Sequence, residues 1–291
     1  MYDIVVIGAG PAGLSAAITA RARNKNVAIL SNKPQDSPLA KAARVDNYPG
    51  LPQISGRDLL EQMLNHALDL GVTLEYKKAV SILPFGDTFS ISAGEDIIEA
   101  KTVILATGAQ VAKPFAGEGE YLGRGVSYCA TCDGMLYRNT RVCVVGLSED
   151  AVEEANFLAE IGCEVVFLAK KAPQGLSDGI RAIQGSVAEI RGDGLGVTEV
   201  VVKPAGAHTT ETLSVRGIFI LRPSIAPDAL IAGLRLNNGY VAVDAAMKTG
   251  VPGVFAAGDC VGKPLQISKA TGEGQLACFS AVAYLDQEGR P

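Results

Sequence analysis

The tightest constraint on this chain lies near its first residues. The β-branched run Asp3 to Ile7 passes directly into Gly8-Ala9-Gly10-Pro11-Ala12-Gly13, the Ala-rich stretch Leu14 to Arg23 has helical character, and Asn26 to Leu30 is a second apolar run. Strand, glycine turn, helix and strand in this order form the context in which a G-x-G-x-x-G turn holds a dinucleotide. Gly8 makes the tight turn, Gly10 lets a pyrophosphate approach the backbone, and Gly13 lets helix and strand pack closely. The phosphates would rest at Pro11 and Ala12 on the helix N-terminus, where unpaired N–H groups and the dipole favour anions. One feature is off pattern: the second strand ends in Ser31-Asn32-Lys33 instead of an acid that grips a ribose.

Arg141 to Gly146 opens a second unit of the same order, through Ala151 to Ile161 and Glu164 to Leu168. The prediction is an α/β fold of two Rossmann-like, three-layer ββα nucleotide-binding domains. Pro114 to Gly125, rich in Gly and acids, reads as a crossover between them. Val251 to Asp259, a strand ending in Gly258-Asp259, returns the chain to the first domain, so the second is inserted into the first. The boundaries read as 1–112 and 245–291 for the outer domain and 113–244 for the insert. Asp259 can hydrogen-bond a ribityl or ribose hydroxyl. Thr102 to Ala109 is a buried strand whose small terminal residues, Thr107-Gly108-Ala109, permit close backbone approach to a ligand.

The remaining elements are a polar loop from Ser31 to Gly50 with Pro34, Pro38 and Pro49, of a length often functional, a helix from Leu59 to Leu70 and short strands at Thr73 to Tyr76 and Phe89 to Ser92. Further apolar runs lie in Glu211 to Leu221 and Tyr240 to Val243, and a last helix runs from Gln275 to Leu285 after Gly272-Glu273-Gly274. His66 reads as a helix-surface residue.

Near the middle stands Tyr128-Cys129-Ala130-Thr131-Cys132-Asp133-Gly134. Two cysteines at this spacing can hold a disulfide that opens and closes, with one thiol depressed in pKa and Asp133 as proton donor or acceptor. The alternatives are a structural zinc site or two unrelated core thiols. Zinc needs four N or S ligands, and the chain has two histidines, His66 and His208, and no second close cysteine pair. The nucleotide-type turns favour redox use, with no metal. Cys143 and Cys163, in or beside apolar strands, read as buried thiols; Cys260 follows Asp259 with nothing to mark it as reactive, and Cys278 falls in the last helix. A net charge of −5 argues against nucleic acid, and no apolar run is long enough to span a bilayer. The start lacks a basic signal region, and six cysteines are too few for a disulfide scaffold, so a reducing cytoplasm is expected.

GAGPAG (8–13), VDNYPG (45–50), ILATGA (104–109), GRGVSYCATCDG (123–134) and VPGVFAAGD (251–259) carry a likeness that extends over nearly the whole chain. With them the sequence resembles the low-molecular-weight thioredoxin reductase family. The resemblance implies a homodimer, an FAD domain built from both chain ends, and an inserted pyridine-nucleotide-type domain carrying the disulfide. It implies FAD along the first glycine turn with contacts at Asn47, Asp259, Gln266 and Ile267. It also implies that the flavin reduces the disulfide with Cys132 nearer the ring, that Cys129 attacks the thioredoxin disulfide, and that Asp133 moves the proton.

The second glycine turn departs from the family pattern. It reads Gly146-Leu147-Ser148-Glu149-Asp150-Ala151, with Ser148 where NADPH-using members carry glycine and Asp150 where they carry a small hydroxyl residue. Both oppose a pyrophosphate at a helix N-terminus. The family's arginine signature for the 2′-phosphate is replaced by Ala169-Lys170-Lys171, which keeps charge without the bidentate fork. The segment from Lys171 to Val197 is short, and Arg222-Pro223 replaces Gly-His. These changes predict that NADPH is not bound in the usual way, and the chain resembles the branch that takes electrons from ferredoxin, on a local basic patch the sequence does not locate. The alternatives are NADPH-dependent thioredoxin reduction, a dithiol oxidase using oxygen, and a flavin-bound redox sensor without turnover.

Overall fold

The computed structural model describes residues 1–33, 37–109, 114–148, 150–222 and 225–288. Pro34, Glu149, Pro223 and the first expected boundary at 112/113 lie outside them. The chain forms two compact units, 1–111 with 224–291, and 112–223.

The first unit begins with β1 (Tyr2–Ile7), α1 (Pro11–Ala22), β2 (Val27–Leu30), α2 (Gly56–Asp69), β3 (Thr73–Glu75), β4 (Ala79–Phe85), β5 (Thr88–Ala93) and β6 (Asp96–Leu105). The second holds β7 (Val126–Ser127), α3 (Ala130–Asp133), β8 (Arg141–Gly146), α4 (Ala151–Glu160), β9 (Glu164–Ala169), β10 (Arg181–Gly192), β11 (Val197–Pro204), β12 (Glu211–Ser214) and β13 (Gly217–Leu221). The chain then completes the first unit with α5 (Pro227–Leu230), β14 (Leu236–Asn237), β15 (Tyr240–Val241), β16 (Val254–Ala256) and α6 (Ile267–Glu288).

In the first unit the sheet order is β3-β2-β1-β6-β5-β4, with β16 also on β6. On the edge away from β1, the strand β6 serves two partners: Val103 to Leu105 pair in parallel with β16, and its first half pairs antiparallel with β5. Ile4, Val5 and Val6 are fully buried, as expected of a parallel strand covered on both faces, whose sequence is a continuous apolar run. The second unit repeats the plan in the order β12-β11-β10-β9-β8-β13-β7. Its parallel part runs from β10 to β7, and β10, β11 and β12 form an antiparallel meander. The connection 170–180 between the parallel strands β9 and β10 contains no helix. Asn156 of α4 holds it instead, donating to the Gly175 carbonyl (2.9 Å) and accepting the Ser177 N–H (2.8 Å).

Two sequence expectations are corrected. The return to the first unit falls at 224 and not at 245. The intervening segment belongs there because α5 packs on β4 and β15 packs on the turn Gly258–Val261. The last helix starts at Ile267, ahead of the glycines read as its boundary. Gly274 is a contact residue: a Cβ there would collide with the Ala12 carbonyl of α1, whereas one at Gly272 meets nothing within 4 Å. Close approach of α1 and α6 overrides the usual penalty for glycine inside a helix.

The two glycines therefore respond oppositely to the same change. Gly272→Ala raises unfolding stability by ~0.5–1 kcal/mol, and Gly274→Ala lowers it by ~1–3 kcal/mol through overpacking, read from denaturant midpoints.

Candidate active site

Cys129 and Cys132 form a disulfide with Cα atoms 5.4 Å apart. The chain leaves β7, turns at Tyr128 and enters the short helix α3, for which Cys129 is the N-cap. Cys129 Sγ accepts the Cys132 N–H (3.2 Å) and lies 3.4 Å from Thr131 Oγ1. Both groups favour negative charge on that sulfur once the bond opens. Cys129 is buried and Cys132 is exposed.

Asp133 is held by Ser127, whose hydroxyl donates to Oδ2 (2.7 Å) while accepting the Cys129 N–H (3.1 Å). Glu154 of α4 accepts the Ala130 N–H (2.8 Å). On the other side Tyr128 donates to Glu118 Oε1 (2.9 Å). Glu118 is itself clamped by the guanidinium of Arg222, through Nη1 to Oε1 and Nη2 to Oε2 (2.8 Å), and by the Phe115 N–H (2.7 Å). The side chains of Arg222 and Glu118 are 12% and 2% exposed. Burial pushes the Glu118 carboxyl up, but Arg222, the Phe115 N–H and Tyr128 together hold it below the ordinary glutamate value.

In the first unit the expected dinucleotide residues gather at the carboxyl ends of β1, β6 and β16, where open parallel sheets bind ligands. Gly8 turns with φ +113°, and a Cβ there would strike the Ala106 carbonyl, next to Thr107 and Gly108. Pro11 is the first residue of α1, and a Cβ at Gly13 would collide with the Gly8 carbonyl. Gly10 is different: its backbone (φ −79°, ψ −179°) suits any residue, and a Cβ there would meet nothing within 4 Å. Neither conformation nor packing requires glycine at 10, and the open space fits a pyrophosphate against the turn. The residues present therefore fit FAD. Ser31, off pattern for a ribose, accepts the Ala9 N–H (3.0 Å) and braces the turn.

Gly258 lies against Ala12, its would-be Cβ 2.8 Å from the alanine methyl. Its N–H donates to Glu273 (3.0 Å), and Lys269 donates to the carbonyls of Gly258 (3.1 Å) and Gly262 (2.8 Å) and to Glu273 (2.9 Å). These two helix residues, which sequence reading missed, build the Gly258-Asp259 turn; their i, i+4 spacing was the available signal. Burial, with Glu273 adding and Lys269 opposing, pushes the Asp259 carboxyl up. Asn47 Nδ2 donates to Gln266 Oε1 (2.7 Å), which joins two expected contacts, and Ile267 follows at the start of α6.

The second glycine turn is built differently. A Cβ at Gly146 would strike the ring of Phe167, so that glycine serves core packing. Ser148 Oγ donates to the Leu221 carbonyl (3.0 Å), Asp150 is the N-cap of α4, and Glu153 and Glu154 occupy its first turn. Beyond Leu221, Arg222 is committed to Glu118. Lys170 and Lys171 are exposed past the end of β9. The four other cysteines are buried, and burial pushes the thiols of Cys143 and Cys278 up to about 12 and that of Cys260 up to about 11. No helix among the described residues is long and apolar enough to cross a membrane.

Two nucleotide-type units, one holding a Cys-x-x-Cys disulfide beside an acid, define a two-domain disulfide oxidoreductase. The sequence matches the pyridine nucleotide-disulphide oxidoreductase family over residues 2–274. It is 35% identical to the thioredoxin reductase of Listeria innocua, over 99% of this chain and 95% of that protein. The fold is similar to a ferredoxin-flavin thioredoxin reductase from Clostridium acetobutylicum (TM-score 0.87, 37% identity, 99% of this chain and 98% of that one). It is also similar to a thioredoxin reductase from Gloeobacter violaceus (TM-score 0.83, 33% identity, 99% of this chain and 96% of that one). The chain belongs to the low-molecular-weight thioredoxin reductase family, flavin-dependent oxidoreductases that act on a disulfide.

The Glu118–Arg222 pair behaves as a buried ion pair. Arg222→Ala lowers stability by ~3–5 kcal/mol by leaving a buried charge alone, whereas Glu118→Leu with Arg222→Met is close to neutral. Because the folded carboxyl lies below its unfolded value, its contribution is complete above about pH 4.3 and lost as pH falls through the lower folded value. Denaturant unfolding at stepped pH shows this acid sensitivity in the wild type and its loss in the double variant.

Proposed function

We propose that this chain is a ferredoxin-dependent flavin thioredoxin reductase, with the Cys129–Cys132 disulfide as the outlet for electrons. The observation that carries the choice of donor is the second glycine turn. Where a pyridine nucleotide would need open space and free N–H groups, Ser148 is bonded to the Leu221 carbonyl, Phe167 covers Gly146 and acids crowd the start of α4. A pyrophosphate there meets like charge and a side chain. The first turn keeps its open position at Gly10. The ferredoxin-flavin thioredoxin reductase of Clostridium acetobutylicum supports the same reading by its similarity over nearly the whole chain.

In this reading Gly8, Gly10, Pro11, Ala12 and Gly13 hold the pyrophosphate of FAD, Asp259 a ribityl hydroxyl, and Asn47, Thr107, Gly108, Gly258, Gln266 and Ile267 the rest of the cofactor. When bound, FAD supplies the conversion of single-electron deliveries into the pair of electrons a disulfide takes up. Cys129, with two donors directed at its sulfur, is the thiolate that attacks the thioredoxin disulfide, Cys132 is the partner thiol, and Asp133 moves the proton from Cys132 to a departing thioredoxin thiolate.

A second reading, NADPH as donor, rests on Lys170 and Lys171, exposed past the end of β9 and free to meet a 2′-phosphate. Anaerobic absorbance of the purified flavoprotein separates the two. Reduced ferredoxin bleaches the flavin band stoichiometrically and supports thioredoxin reduction, while NADPH at micromolar concentration does neither; fast bleaching by NADPH overturns the proposal. Cys129→Ser or Cys132→Ser abolishes thioredoxin reduction by either donor.

A further inference from the structure

A carboxyl group that carries a proton beside a buried turn must be accommodated in both protonation states. We propose that the Ser127 hydroxyl is the positioning residue that allows this, by turning its single proton between the Asp133 carboxylate and the Cys129 carbonyl; this rests on the reading of Asp133 as proton carrier.

Ser127 is 4% exposed. Its Oγ lies 2.7 Å from Asp133 Oδ2 and 3.1 Å from the Cys129 carbonyl oxygen, and it accepts the Cys129 N–H at 3.1 Å. A hydroxyl has one proton to donate and two lone pairs. With Asp133 ionised, that proton points to Oδ2 and one lone pair takes the Cys129 N–H. The Cys129 carbonyl then keeps the Asp133 N–H (3.4 Å). With Asp133 protonated on Oδ2, the acid donates to the second lone pair of Ser127 and the serine proton swings to the Cys129 carbonyl. Every polar group of the cluster has a partner in both states. An alanine at 127 leaves the Cys129 N–H without an acceptor in both, and the carboxylate without this donor.

The exchange balances. Cys129 thiolate attacks one sulfur of the partner disulfide, a mixed disulfide forms, and the other partner sulfur leaves as thiolate. Asp133 takes the Cys132 proton, Cys132 Sγ displaces the second partner sulfur, and the Cys129–Cys132 bond re-forms, two electrons having passed to the partner. Asp133 then gives its proton to one partner thiolate and water protonates the other. The titratable and charged groups around the cluster are the two active thiols, Glu154 on the Ala130 N–H, Glu118 joined through Tyr128, and Tyr137, whose hydroxyl is pushed up by burial and by the Asp133 charge.

The test uses the flavin-loaded full chain, chemically reduced at the disulfide and mixed with oxidised thioredoxin, with thiol transfer followed from about pH 3.5 to about pH 9, which spans the ordinary aspartate and cysteine values. Ser127→Ala slows transfer about tenfold, part of the roughly 10²–10⁴-fold that a positioned acid–base group contributes, and displaces the pH profile. Ser127→Thr restores rate and profile, and Ser127→Ala costs less in the Asp133→Asn background than in the wild type. If Ser127→Ala does not fold, Ser127→Cys, a weaker donor of similar size, falls between wild type and Asp133→Asn. Wild-type rate and profile in Ser127→Ala or Ser127→Cys, or an equal loss in the Asp133→Asn background, overturns the inference. Wild-type transfer in Asp133→Asn instead overturns the reading of Asp133 itself.

Discussion

In each unit a buried parallel strand must turn sharply at its carboxyl end into the helix that covers it, and the first N–H groups of that helix have no partner within it. What satisfies and surrounds that turn decides what the unit can hold. In the first unit the protein satisfies the structural demands with Gly8, Gly13 and Ser31 and leaves the space at Gly10 open. In the second, Ser148 is bonded to the Leu221 carbonyl, Asp150 stands at the N-cap of α4, and the next residue after Leu221, Arg222, is bound to Glu118. One architecture therefore serves two purposes, a cradle for an anionic cofactor and a scaffold for a disulfide.

The scaffold role explains the polar groups concentrated in the second unit. A two-residue loop between cysteines has little stiffness of its own, and its position is set by what its flanks bond. Tyr128 fixes one flank on Glu118, Glu154 fixes the first N–H of α3, and Ser127 fixes both the Cys129 N–H and Asp133. The charges are also arranged by function: donors point at the Cys129 sulfur, and the carboxylates bond backbone or hydroxyl groups next to it. This placement raises the readiness of one sulfur to carry negative charge without leaving a buried acid unpaired.

Local motifs were legible in the sequence, and contacts over long separations were not. The glycine turns, the cysteine pair and the Gly258-Asp259 turn follow from residue types within a few positions, so the two-unit α/β fold could be read directly. The helix α6 was read as starting too late because glycine marks helix ends on average, and only the touching carbonyl of Ala12 explains why Gly274 lies inside one. The return boundary was read too late because the segment after Leu221 has no periodicity of its own and is fixed by packing on β4 and the 258–261 turn. Ser127 was invisible for a different reason: a serine before a cysteine has no signature until its hydroxyl is seen between a carboxylate, a carbonyl and an N–H.

Arg222 shows how a departure from a family's sequence pattern can carry a structural role. The sequence presents it as a departure from a nucleotide site. In the fold it is the guanidinium that neutralises Glu118, a residue 104 positions earlier. Glu118 lies on the segment that enters the inserted unit and Arg222 on the segment that leaves it, so the pair pins the two ends of the unit together. The same carboxylate takes the Tyr128 hydroxyl, which places the residue before Cys129 on that pin. A carboxylate so buried is stable only with its cation in place, so the two ends of the inserted unit and the disulfide turn depend on one ion pair.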